Sequence, residues 1–135
     1  MINKPEPARA GKPVGATTIL VVDDSEDARG LLRTALQRQG YAVLVAADGD
    51  SALQVFQQHR GAIQLVVIDV VMPGMSGLKL APKLTALRSD IKVLFVSAFV
   101  QEATLQGKLR PEDRFLAKPI PPERLVTKVR EMLAA

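Results

Sequence analysis

Five short runs of β-branched and apolar residues punctuate the chain: Thr17–Val22 (TTILVV), Tyr41–Ala46 (YAVLVA), Leu65–Asp69 (LVVID), Ile91–Val96 (IKVLFV) and Arg114–Ala117 (RFLA). Their length and composition predict strands, and the absence of polar alternation in the first, third and fourth predicts strands covered on both faces. Segments with helical spacing lie between them. Ser25 is placed as an N-cap with Glu26 and Asp27 in the first turn, and Ala28, Leu31, Leu32, Ala35 and Leu36 recur until Gly40 stops the helix. A turn at Asp48, Gly49 and Asp50 leads into a helix over Ser51–His59 with Ala52, Leu53 and Phe56 inward, and Gly61 breaks it.

Leu78, Ala81, Leu84 and Leu87 mark a third helix, interrupted in pattern by Pro82. Proline removes a backbone donor and crowds the preceding turn, which predicts a kink or a late helix start near Ala81. Val100–Lys108 carries a weak pattern and is expected to be a short helix; Pro111, Glu112 and Asp113 make a turn. Pro121 and Pro122 open a final helix with the stripe Leu125, Val126, Val129, Met132 and Leu133. Residues 1–16 contain three prolines and two glycines with little large apolar content, and are read as a flexible leader or linker, leaving 17–135 as one domain.

Strand and helix thus alternate five times. This order predicts an α/β fold, a doubly wound parallel sheet with helices on both faces. Ligands in such sheets bind beyond the carboxyl ends of the strands. The residues standing there are Asp23 and Asp24 after the first strand, Asp69 at the end of the third, Ser97 after the fourth and Lys118 after the fifth. Clustered carboxylates raise one another's pKa unless a cation joins them, and an all-oxygen set on an open edge favours a hard ion that keeps its waters. Mg²⁺ is the expected cofactor, with Mn²⁺ as the alternative. Metal and lysine together would bring the pocket close to neutrality and let it accept a phosphoryl group.

Composition narrows the rest. There is no cysteine, which excludes disulfides, thiolate metal sites and a cysteine nucleophile. The formal charge of +4 is spread among acids, and aromatic residues make up 4%, too few for a stacking platform, so no direct nucleic-acid partner is expected. No run approaches the roughly 20 apolar residues of a membrane span, so a cytoplasmic protein without membrane association is expected. His59, the lone histidine, is placed on the surface at a helix end.

The pair Asp23-Asp24, the motif DVVMPGMSG from Asp69, the pair Ser97-Ala98 and the pair Lys118-Pro119 stand in order on the expected strands. Taken together they resemble the receiver domains of two-component response regulators over Thr18–Leu133, and the segment LQGKLRPEDRFLAKPIPPERL with the short helix expected at Val100–Lys108 looks most like the receivers at the carboxyl end of hybrid sensor histidine kinases. The resemblance implies a flavodoxin-like (βα)5 fold with strand order 2-1-3-4-5. It implies that Asp69 is the phosphoacceptor, taking a phosphoryl group from a histidine kinase or histidine phosphotransfer protein. Mg²⁺ would be held by Asp24, Asp69 and the backbone carbonyl of Val71, with Asp23 acting through water. Lys118 and Ser97 would contact phosphoryl oxygens, and Ser97 with Phe115 would form the switch. The signalling face, open to homodimerisation, would combine the helix expected at 100–108, the strand at 114–117 and the final helix. Such a chain is a signalling phosphoacceptor that assists its own phosphotransfer, not an enzyme.

Val71 and Phe99, each two residues beyond a site residue, would flank the route of the hydrolytic water, and two apolar side chains there imply slow dephosphorylation. Three other functions compete with this one. A Mg²⁺-dependent phosphatase needs a second acid where Val71 stands. A nucleotide or flavin module would not place the acidic DDSED after its first strand. A degenerate receiver, binding partners without phosphorylation, is the remaining alternative.

Overall fold

The computed structural model describes residues 17–98 and 107–135. In chain order the elements are β1 (Thr18–Val22), α1 (Glu26–Gln37), β2 (Ala42–Ala46), α2 (Gly49–Gln58), β3 (Leu65–Asp69), α3 (Gly77–Leu87), β4 (Lys92–Ser97), β5 (Arg114–Ala117) and α4 (Pro122–Ala134). The five strands form one parallel sheet in the order β2-β1-β3-β4-β5. Register pairs Val22 with Ile68 and Asp69 with Val96, which brings the ends of β1, β3 and β4 to a common edge.

Alternate strand residues supply the two cores. Leu20, Val22, Val66, Ile68, Val93 and Phe95 pack under α2 and α3 through Ala52, Leu80, Ala81 and Leu84. On the opposite face Ile19, Val21, Leu65, Val67, Leu94 and Val96 meet Leu32 and Leu36 of α1 and Leu125 and Val129 of α4. Burial of both faces explains why β1 and β3 read as continuous apolar runs. Removing one Leu or Ile side chain from water contributes about 2 kcal/mol, so these inner strands anchor the edge on which the charged residues stand.

The helix signals act as expected at α1, where the Ser25 hydroxyl accepts from the Ala28 N–H at 3.2 Å. Gly40 follows the helix end with φ of 92°, a left-handed geometry that disfavours any Cβ. Two helix starts differ from the reading above. Helix α2 begins at Gly49, two residues earlier, because Asp48 is its N-cap and forms a reciprocal capping box with Ser51. Helix α3 begins at Gly77 rather than near Ala81: Ser76 caps it, and Pro82 lies inside the helix. The proline ring faces solvent while Leu80, Ala81 and Leu84 are buried on the core side, and that burial holds the turn around the missing donor. The leader and most of the helix expected at 100–108 fall outside the described residues. Its last two positions, Gly107 and Lys108, lie in a turn.

Candidate functional site

The site grows out of the carboxyl ends of the inner strands. The chain leaves β1 at Asp23, whose N–H still donates to the Ala46 carbonyl at 3.2 Å. Asp23 is fully buried, and its carboxylate accepts from the Ser25 N–H at 2.9 Å and from Lys118 Nζ at 2.7 Å. Asp24, the next residue, is exposed. Asp69 closes β3 and is 6% exposed; its Oδ1 accepts from the Val71 N–H at 3.2 Å and its Oδ2 lies 3.3 Å from Lys118 Nζ. Lys118 reaches both acids because β5 delivers it to the same edge, its N–H donating to the Ser97 carbonyl at 2.9 Å.

Carboxylate oxygens of Asp23, Asp24 and Asp69 lie within 4.8 Å of one another. Asp24 and Asp69 border a cavity of about 440 Å³ whose other lining residues are Val71, Met72, Pro73, Ala98 and Lys118. Burial raises the Asp69 carboxyl above its ordinary value; the Lys118 charge opposes that rise and the Asp23 charge adds to it. For Lys118, burial works against the ammonium, but the hydrogen bond and charge of Asp23, reinforced by Asp69, outweigh it and its pKa is raised. Two of the three carboxylates, Asp23 and Asp69, thus share one lysine. The donors are all oxygen and one side of the cluster opens to the cavity, a set that fits a small hard divalent cation.

Asp23, Asp24, Asp69, Val71 and Lys118 are therefore brought together. Ser97 is buried at the end of β4, in register with Ala117. Phe115 is half-buried on β5 opposite Phe95, packed against the core beneath α2 and α3. Val71 is 46% exposed, unusual for its size. Phe99 lies outside the described residues, and His59 is the C-cap of α2.

A sequence model of the response regulator receiver domain matches residues 19–130. The chain belongs to this family. The receiver is 39% identical over 122 residues to the sensor kinase CckA of Brucella abortus, covering 88% of this chain and 13% of that kinase. It therefore spans only a small part of that relative. Among solved structures it resembles the chemotaxis protein CheY4 of Vibrio cholerae, with a TM-score of 0.79, 29% identity and coverage of 87% of this chain and 99% of that one. It also resembles the response regulator TrrA of Thermotoga maritima, solved in complex with Mg²⁺ and BeF, with a TM-score of 0.74, 32% identity and coverage of 86% and 98%.

Two further residues support the receiver's site and were not singled out in the sequence. Gly77 opens α3 against the end of β3, where a Cβ would come 2.4 Å from the Asp69 carbonyl oxygen. Only glycine permits that approach, and its place at the end of DVVMPGMSG was the available signal. Arg29 on α1 donates through Nη1 to the Asp23 carbonyl at 2.8 Å. A bond from a side chain to a main-chain oxygen leaves no pattern in the sequence.

Proposed function

We propose that this chain is a phosphoacceptor of a two-component phosphorelay, with Asp69 as the residue modified. An Asp69 carboxylate oxygen attacks the phosphorus of a phosphohistidine on a kinase or phosphotransfer protein. The P–O bond forms, the P–N bond breaks, and the imidazole leaves with the electron pair. The observation that carries this reading is the position of Lys118 Nζ, within 3.3 Å of both Asp23 and Asp69 and lining the open cavity beside Asp69. A carboxylate is a modest nucleophile, so alignment and charge neutralisation supply most of the rate.

Bound Mg²⁺ would supply further positive charge to the phosphoryl oxygens, held by Asp24, Asp69 and the Val71 carbonyl. The full burial of Asp23 and its engagement by Lys118 and the Ser25 N–H support a role through water for that acid. Ser97 would hydrogen-bond a phosphoryl oxygen, and Phe115 would follow it to alter the face around β5 and α4. The chain would act in the cytoplasm as a signalling protein that returns to its starting state when the phosphoryl group is lost.

Incubation with Mg²⁺ and acetyl phosphate should add the mass of one phosphoryl group to the intact chain. Asp69→Asn should abolish the gain, and a gain that survives this substitution would overturn the assignment. Val71, apolar and exposed at the cavity, cannot orient a water molecule for attack, so the phosphoryl group should persist on the order of hours. The decay of the phosphorylated mass after removal of the donor measures this directly, and loss within seconds would contradict it.

A further inference from the structure

The three carboxylates are held in different ways. Asp23 is fixed by Lys118 and the Ser25 N–H, and Asp69 by Lys118 and the Val71 N–H. Among the described residues the Asp24 side chain has no hydrogen bond or ion pair. Its direction is therefore set by its own backbone. That backbone leaves β1 through the Asp23–Asp24 peptide, whose carbonyl accepts from Arg29 Nη1 at 2.8 Å.

Arg29 is half-buried in α1 and, among the described residues, has no carboxylate partner even though four acids, Asp23, Asp24, Glu26 and Asp27, stand close by in sequence. Its guanidinium is committed to a main-chain oxygen instead. A charge-assisted bond of this length is among the stronger kinds, and the helix that carries Arg29 is itself tied to the same turn by the Ser25 cap. We infer that Arg29 is a positioning residue for the acidic pocket: by fixing the peptide between Asp23 and Asp24 it aims the otherwise unpartnered Asp24 carboxylate at the cavity. The inference rests on the reading of that pocket as a divalent-cation site.

The sign of the effect distinguishes positioning from simple charge. A guanidinium acting only through its charge repels a cation, so its removal would tighten metal binding. One acting through the peptide has the opposite consequence, since loss of a partner that orients a ligand typically weakens metal affinity 10-fold or more.

The test is a titration of the full chain with Mn²⁺, following the free-ion electron paramagnetic resonance signal. Arg29→Ala should weaken binding roughly 10-fold, and Arg29→Lys, which keeps a charged donor, should recover part of the loss. At saturating Mg²⁺ the rate of phosphoryl capture by Arg29→Ala should return to within about threefold of the unsubstituted chain, a split between affinity and rate that general loss of structure would not produce. Unchanged or tighter Mn²⁺ binding in Arg29→Ala would overturn the proposal. If that variant does not fold, Arg29→Gln decides: weaker binding supports positioning, and equal or tighter binding rejects it. Phosphoryl capture by the unsubstituted chain separates the two readings. Its absence would reject Asp69 as acceptor, whereas normal capture with no change in Mn²⁺ affinity on substitution would reject only the role of Arg29. Failure of the unsubstituted chain to bind Mn²⁺ would reject both the cation site and its positioning.

Discussion

The two edges of the sheet handle charge in opposite ways. At the amino edge Arg110 and Lys92 both have their acceptors. The Arg110 side chain donates to the Ser89 and Ile91 carbonyls and to the buried carboxylate of Asp113, and the Arg110 N–H donates to the same acid at 2.8 Å. Lys92 Nζ donates to the carbonyls of Met132 and Ala135, closing the last turn of α4 onto the start of β4. At the carboxyl edge three carboxylates cluster around one lysine that pairs with only two of them, Asp23 and Asp69, and Asp24 has no partner among the described residues. The two cations of the amino edge are satisfied within the fold. Groups left in deficit are suited to something that arrives from outside.

That contrast can be broken at either end. The largest effect is expected at Lys118: its replacement by Ala should lower the rate of phosphoryl capture from acetyl phosphate by roughly 10²-fold or more at saturating Mg²⁺, measured well below the unfolding midpoint. A rate within a few-fold of normal would place the functional charge elsewhere. Arg110→Ala should do the reverse. It removes the guanidinium from the buried Asp113, leaving that acid the main-chain N–H of residue 110, and should cost about 2 kcal/mol in urea denaturation while leaving the capture rate unchanged. Equal loss of stability and rate in that variant would mean that the two edges are not separable.

The smallest effect is one of pH. The Asp69 carboxyl is raised above its ordinary 3.8, so the folded chain holds that proton more tightly than the unfolded chain. Its favourable contribution is present at low pH and is lost as pH rises from the unfolded value through the folded one. At pH 7 the ionised carboxylate is a cost. Asp69→Asn should therefore raise the metal-free melting midpoint at pH 7, by on the order of 3 °C, and the gain should vanish as pH falls below about 4. A stabilised edge would show the opposite sign.

Most of the fold was legible because its signals are local. The inner strands announce themselves as unbroken apolar runs, and Ser25 and Gly40 punctuate α1 as their chemistry requires. Pro82 misled because propensity speaks for a single turn, whereas the burial of Leu80, Ala81 and Leu84 decides where α3 starts. At the site the acids and Lys118 could be read as strand termini without knowing their distances. The sharing of Lys118 between Asp23 and Asp69 could not, since those partners lie 95 and 49 residues away. Arg29 was invisible for a related reason: its partner is a carbonyl, which every residue has.

The central claim is that, of the three clustered acids, Asp69 alone changes covalently. Borohydride reduces an aspartyl phosphate to homoserine, so trapping the phosphorylated chain and mapping its peptides locates the modification directly. Homoserine should be found at position 69 and at neither 23 nor 24. Homoserine at either of those acids, or at none of the three in a chain that has gained a phosphoryl group, would contradict the account.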